Sequence, residues 1–579
     1  MTVLAVVAVL LLGALALTYF QSRRSGELFA NPQFSRITGD GTTGLAAISP
    51  DGEYIVYTTR KKGWTQLWRR KVGTSASAPV TAPIYGDAAS LEFTDNGHRL
   101  AFSLHPALQV FHRNLFTVSL EGGTPVQILG ELTGPVGISR DGTKAAIVRA
   151  NRPSNRDEIW IADLKNGGER LITSRPYPTR LLSQTSPAWS RDGKLLAFPV
   201  QTKDNVGFYI YLQTIDLETG QERRVRSPRW QWVEDIEWVK TNSALAIVAR
   251  PQGSSFKQIW YIAYPEGVSR RLGSDIDSYN TVSVSDDGET LASIQLQTLT
   301  NIYVGSAKHI DHSAQITPGT GRYFDLGWTS DGRILYASDS TGEADLWTIK
   351  PDGSEQRQLT SGGGLKWAPV ASPDGRYIAY HSNVSGSWNI WRADTDGSNP
   401  VQITHGPRDS NWPHFTPDSK FVVFHQTDPG GQLNLWKVPI GGGTPIQLTS
   451  SVTTHPAVSP KDGKIVAWYS ETMDHPQWKL AVFAAAGGTP LKVFTPSVAI
   501  SADSQLGWSP TGDAITCLGQ ENGVWNLWNQ PVDGGPAKRL TSFVSGQIYS
   551  FDWSKDGRLA FSQGVSTTDV VIVRDKRKL

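Results

Sequence analysis

A phrase of four or five residues returns twelve times along this chain: Ser or Thr, a short spacer, Asp, Gly. It reads Ser49-Pro50-Asp51-Gly52, Thr94-Asp95-Asn96-Gly97, Ser139-Arg140-Asp141-Gly142, Ser190-Arg191-Asp192-Gly193 and Ser285-Asp286-Asp287-Gly288. Further on come Thr329-Ser330-Asp331-Gly332, Ser372-Pro373-Asp374-Gly375, Ser459-Pro460-Lys461-Asp462-Gly463 and Ser554-Lys555-Asp556-Gly557. Three copies are worn: Val239-Lys240-Thr241-Asn242, Thr416-Pro417-Asp418-Ser419 and Ser509-Pro510-Thr511-Gly512. From Gly52 to Gly557 is 505 residues over eleven intervals, a period of about 46. A fixed period of roughly 40–50 residues marks an array of small β units that cannot bury their faces alone.

Each copy has the same surroundings. An apolar stretch, often ending in Trp (Trp189, Trp238, Trp328, Trp508, Trp553), leads into the phrase, and an alternating strand such as Tyr377-Ile378-Ala379-Tyr380 leaves it. A polar, Gly-rich loop comes next, then a strand ending in an aliphatic-aromatic pair such as Ile390-Trp391. A glycine turn such as Gly442-Gly443-Thr444-Pro445 leads to a short last strand such as Gln358-Leu359-Thr360. Asp-Gly supplies the positive φ of a tight two-residue hairpin, and Pro ahead of it presets φ. The prediction is an all-β fold of twelve four-stranded blades, stacked in rings so that aromatic and β-branched residues pack between neighbours.

The ends of the array suggest how the rings divide. The last unit stops after its third strand, Val570-Val571-Ile572-Val573, and Phe34-Ser35-Arg36-Ile37-Thr38 is an isolated fourth-type strand. The same offset recurs mid-chain, where Ile302-Tyr303-Val304 precedes Gln315-Ile316-Thr317. The pattern predicts two six-bladed β-propellers, residues 34–308 closed by 34–38 and residues 309–579 closed by 314–317. Seven plus five is the alternative. One ring of twelve exceeds the four to eight blades typical of such rings.

Residues 3–20, VLAVVAVLLLGALALTYF, carry no charge. As a helix they span roughly 27 Å, close to the hydrocarbon thickness of a bilayer. No basic residue precedes them and no small-x-small cleavage site lies near Phe20, so an uncleaved anchor at 1–22 with a linker at 23–33 is expected. Arg23 and Arg24 favour a cytoplasmic location for the chain beyond them, against export. The single cysteine, Cys517, excludes a disulfide framework. Formal net charge is +2 without a basic stripe, so no nucleic-acid partner is expected.

The wording Ser372-Pro373-Asp374-Gly375, Ile378-Ala379-Tyr380, Ile390-Trp391, Gln402-Ile403-Thr404 resembles the WD40-like (PD40) propeller repeat of the TolB-like family, over about residues 34–575. The repeat is similar to that in dipeptidyl-peptidase and tricorn-type propellers, and in the sensor half of bacterial membrane-anchored propeller proteins. TolB carries a small α/β domain where this chain carries the apolar segment, and the peptidases add an α/β-hydrolase for which the sequence after the last repeat leaves no room. The resemblance therefore implies anchor plus propellers, lying in the periplasm or otherwise outside the cytoplasm.

No G-x-S-x-G elbow or phosphate loop occurs. Asp394-Thr395-Asp396-Gly397-Ser398-Asn399 mimics the start of a calcium loop but lacks its twelfth-position Glu and sits where a hairpin belongs. His405, His414, His425, His455 and His475 cluster in the second ring, with His405 and His455 in or near loops that lead into blades. Cys517 lies in an alternating strand and reads as a small buried residue. No catalytic residue, metal site or cofactor is expected. The candidate surface is the mouth formed by the loops leading into the blades. It includes Arg322, Tyr323, Trp367, His405, Arg408, Asp409 and Trp412 in one ring, and Tyr177, Arg180, Trp230, Trp232 and Tyr279 in the other. Aromatic and Arg residues suit protein or peptide contacts, whereas Trp residues that pack between blades need no partner. The expectation is a non-catalytic scaffold or ligand sensor. The alternatives are the gating propeller of a peptidase carried on another chain, or a hydrolase or lyase acting in a channel.

Overall fold

The computed structural model describes residues 28–575 apart from 62, 106–112, 133, 152–153, 177–178, 183, 205–206, 241, 274–276, 307–309, 320, 407, 429–431, 473–476, 496–503 and 522–523. The expected anchor and most of the expected linker lie outside the described residues, as do Tyr177 and His475. Among the described residues no helix is long and apolar enough to cross a membrane.

The architecture is all-β and of β-propeller type: antiparallel strands in mostly four-stranded units, with two short 3-10 turns, Asp95–Gly97 and Ile310–His312. One unit illustrates why. Lys366–Ala371, Tyr377–Ser382, Asn389–Asp394 and Val401–Gln402 pair in that order. Alternate side chains leave opposite faces of a strand, and here both faces are covered. Ile378 and Tyr380 pack back on Leu335 and Leu346 of the preceding sheet. Ala379 and Ile390 pack forward on Val422 and Phe424 of the next. Burial on both faces explains why the second strands are continuously apolar.

The recurring phrase makes the turn from first to second strand, but not as the two-residue hairpin expected. The Gly52 N–H donates to the Ser49 carbonyl at 2.9 Å, with Gly52 at φ +73°. The Ser49 hydroxyl donates to Asp51 and accepts the Tyr54 N–H at 2.9 Å. The loop is built around a four-residue turn in which only the Gly needs the left-handed region. Asp contributes its carboxylate rather than its backbone, and Ser139, Ser190, Ser372 and Ser554 repeat the arrangement.

First strands lie side by side. In the N-terminal set the order is Thr43–Ile48, Asp87–Thr94, Val136–Ile138, Ala188–Trp189, Glu222–Val239, Ser283–Val284 and back to Thr43–Ile48. In the C-terminal set it is Phe324–Trp328, Lys366–Ala371, Ser410–Phe415, Val452–Val458, Leu506–Trp508, Gln547–Trp553 and back to Phe324–Trp328.

The two sets share one sheet, and here the sequence expectation is corrected. Thr290–Ser306 and Arg558–Asp575 pair antiparallel from Thr290 opposite Arg574 to Ser306 opposite Arg558. The start of Thr290–Ser306 lies beside Ser283–Val284 and its end beside Ala314–Gln315. Arg558–Asp575 begins beside Gln547–Trp553 and ends beside Pro32–Arg36. Ile302-Tyr303-Val304 is thus the third strand of a C-terminal unit, and Val570-Val571-Ile572-Val573 that of an N-terminal unit. A boundary at 308/309 does not separate the two sets. The cores agree: Val571 and Val573 pack with Leu291, Val248 and Tyr279, while Ile302 packs with Trp328, Tyr336 and Ala560. No turn-forming residue interrupts Leu296–Thr300, so the second strand runs on instead of folding back.

Candidate functional site

The shared strands fix how the two sets face each other. In each unit the first strand runs toward the Ser-x-Asp-Gly turn and the second runs back toward the leading loops. Thr290–Ser306 leaves its turn as a second strand and continues as a third strand of the other set, which starts on the leading side. The leading faces of the two sets therefore adjoin. Side-chain contacts agree: the Arg322 guanidinium lies over the Phe256 ring at 4.9 Å, and a Cβ on Gly207 would fall 2.6 Å from the Gly386 carbonyl carbon.

Several expected surface residues turn out to be structural. Trp230 is fully buried, edge-on to Trp260 at 5.0 Å, and Tyr279 is buried against Phe34. Tyr323 is buried against Tyr336. These three cannot offer a contact surface, because the flanking sheets cover them. Arg322 is held by both oxygens of Asp339 at 2.7 and 3.0 Å. Arg180 is held likewise by Asp157, and the Trp232 indole donates to Glu234 at 2.6 Å.

What the C-terminal mouth does bring together is a group of aromatic and imidazole rings. Trp412 packs tilted against His455 at 4.7 Å and approaches His381 at 6.2 Å; His381 meets Trp388 edge-on at 5.0 Å, and His455 meets His425 at 5.4 Å. Each first strand carries a bulge here, with Trp412 at φ +56° and His455 at φ +51°. The bulged N–H groups are caught by imidazoles: Trp412 N–H donates to His381 Nδ1 and His455 N–H to His425 Nδ1, both at 3.2 Å. These bonds require unprotonated Nδ1 atoms. Burial agrees, lowering His381 to about 3 and His455 to about 4, and taking His425 well below its ordinary value. The rings are neutral stacking and hydrogen-bonding groups. Among the described residues no cluster of three or more His, Cys, Asp or Glu is arranged to hold a metal. Asp409 accepts the Trp388 N–H at 3.0 Å, Trp367 lies edge-on to Phe324, and Arg408 and His405 are exposed. His381 and Trp388 escaped the sequence reading because His381 sits on a second strand and Trp388 just ahead of a third; only their place next to the hairpin tip hinted at the mouth.

A second constellation lies in the N-terminal set, where first strands enclose a cavity of about 220 Å³. Glu92, Asp235 and Glu237 face it, with Arg140 and Arg191 at its turn side. Glu92 accepts the Ile138 N–H at 3.1 Å, and Asp235 accepts that of Val282 at 2.9 Å, so both carboxyls tie one first strand to the next. Burial, aided by Glu237, pushes Glu92 up to about 8; burial also pushes Asp235 up to about 8. Burial raises Glu237 too, partly offset by Arg191 and Arg140. The signal in the sequence was a Glu two residues before the turn phrase, at Glu92 and Glu237 alike. The Asp394 loop closes as a hairpin, its Asn399 amide donating to Asp394 at 2.7 Å. Cys517 is buried, its thiol pushed up to about 12.

The family model described as the Tricorn protease N-terminal beta propeller domain matches residues 341–480. Repeats in that stretch are thus similar to those of a tricorn-type propeller. A TolB homologue of Chlorobium luteolum is 29% identical over 126 residues, 22% of this chain. An uncharacterized peptidase of Bacillus subtilis, YuxL, is 26% identical over 214 residues, 35% of this chain. Each match spans 29% of that relative's own length. Among solved structures, TolB from Acinetobacter baumannii is 14% identical with a TM-score of 0.34, over 66% of this chain and 82% of that one.

Proposed function

We propose that this protein is a non-catalytic binding module: two six-bladed propellers with adjoining leading faces, anchored by residues 3–20 and displayed in the bacterial envelope. The closed succession of first strands in each set supports six blades apiece. The observation that carries the binding role is the ring cluster of Trp412, Trp388, His381 and His455 at a mouth, partly accessible and uncharged. Trp-rich patches with neutral hydrogen-bonding groups suit a protein or peptide partner. Arg408, exposed four positions before Trp412 in the sequence, adds a charge.

The test is crosslinking in cells with the full chain, followed by mass spectrometry of what is captured. One envelope protein enriched by the native chain, and lost with Trp412→Ala and with Arg408→Ala, is the expected result. Capture that both variants leave intact, or no enrichment at all, refutes the reading. The carboxyls Glu92, Asp235 and Glu237 favour one alternative, a hydrolase or lyase acting in the N-terminal cavity. Capture of a peptidase by the native chain would favour another, a gating propeller.

A further inference from the structure

The N-terminal cavity separates charge along its depth. At the turn side Arg140 and Arg191 both pair with the carboxylate of Asp286, and the Asp287 carboxylate acts on Arg191 from further off. Arg140, Arg191 and Asp286 occupy the second position of the repeating phrase, so in this set that position closes the turn side of the cavity. Arg191 is further held by the Val284 and Ser285 carbonyls at 2.8 and 3.1 Å, yet its Nε is buried without a hydrogen-bond partner.

Beyond the guanidiniums lie Glu92, Asp235 and Glu237, none of which makes an ion pair among the described residues within salt-bridge distance. Glu92 and Asp235 are used by the fold, as inter-strand acceptors. Glu237 accepts no hydrogen bond from a neighbouring strand among the described residues; the N–H of its own neighbour Trp238 is its backbone partner. Thr281, nine-tenths buried at 7% exposure, also lines the cavity, and its hydroxyl has no partner.

A carboxyl group, Glu237, two guanidiniums that act on it only through space, and two unused donors around one cavity suit a ligand carrying both signs of charge. At about 220 Å³ the space is below the roughly 300 Å³ at which drug-sized pockets begin. We propose that this cavity binds a free α-amino acid, its carboxylate toward Arg140 and Arg191 and its ammonium among Glu92, Asp235 and Glu237. Arg supplies planar donors to a carboxylate, and Thr281 offers one more hydroxyl. The site shares no residue with the ring cluster of the other set, so its fate is independent of the partner-binding reading.

The test is isothermal titration of the full chain with each of the twenty amino acids, alongside ethylamine and propionate as single-charge probes. At least one amino acid binds with Kd below about 1 mM, and ethylamine and propionate bind at least about tenfold more weakly, the loss expected for one charged hydrogen-bond partner. Glu237→Gln, which keeps size and shape, weakens binding by about tenfold or more on the same grounds, as does Arg140→Gln. No binding by any amino acid, equal binding by ethylamine, or an unaltered Kd in Glu237→Gln overturns the proposal. Should Arg140→Gln not fold, the isosteric Glu237→Gln still decides.

Discussion

Ending the chain at Val565 should unfold the N-terminal set and spare the C-terminal one, although the residues removed come after the last repeat of the C-terminal set. The lost segment carries Val570, Val571, Ile572 and Val573, all at 3% exposure or less, packed on Leu291, Ala292 and Ile294 and on the first and fifth N-terminal sheets. Each such side chain contributes roughly 1.5–3 kcal/mol on burial, so the four amount to about 6–12 kcal/mol, less a discount of roughly 10–40% for a compact unfolded state. Pro32–Arg36 loses its strand partner as well. A loss of that size is comparable to the roughly 5–15 kcal/mol that holds a whole domain together. The C-terminal set keeps its own second and third strands, 558–565 and 299–306. Hydrogen exchange read by mass spectrometry separates the two. Amides in 43–298 should lose protection by at least about a hundredfold, the ~2.7 kcal/mol floor of such a loss, while those in 324–553 stay as they were. A synthetic peptide of residues 566–575 should restore part of the protection. Equal protection in both halves of the truncated chain, or loss confined to 324–553, would refute the exchanged pairing.

Three further outcomes are expected from buried groups. Glu92 is raised from 4.5 to about 8, so the folded state holds its proton more tightly than the unfolded one; that stabilisation is complete below about pH 4.5 and is lost as pH rises through about 8. Glu92→Gln keeps an acceptor for Ile138, so its Tm should match the native chain at pH 4 and exceed it at pH 8; a constant difference across that range would contradict this. Lys366, buried and paired with buried Asp345 at 3.0 Å, also donates to the Gly362 and Gly364 carbonyls; Lys366→Met should cost about 3–5 kcal/mol in denaturant titration, since it strands a carboxylate. The Cys517 thiol should resist a thiol reagent in the native protein at pH 8 and react fully in denaturant, and rapid native labelling would contradict its burial.

The repeat, its strand order and its turn residues were legible because a single phrase does local work: Ser49 and Asp51 satisfy one another and the chain around them, as do Ser139 with Asp141 and Ser190 with Asp192. The exchange of third strands was not legible, since Ile302-Tyr303-Val304 and Val570-Val571-Ile572-Val573 have the same alternation and fit either second strand. A signal was present. Elsewhere a polar or Gly-rich hairpin separates second and third strands, as Asn383–Trp388 does, whereas Leu296-Gln297-Thr298-Leu299-Thr300 has no such break. At the mouths, side-chain type alone did not separate Trp412, which is partly accessible, from Trp230, which is sealed between sheets. Which of two Trp residues reaches the mouth depends on the bulge that turns Trp412 to positive φ, a backbone choice that residue identity does not encode.

The shared sheet also sets an order of events during synthesis. Residues 32–36 leave the ribosome more than five hundred positions before the strand they must pair with, 571–575. The first half of the nascent chain therefore waits, its last sheet short of a strand and its open edge exposed, until residues 571–575 emerge. Contacts this distant in sequence are slow to form. A chain built this way gains from being kept unfolded, or from having its open edge shielded, until residues 566–575 arrive.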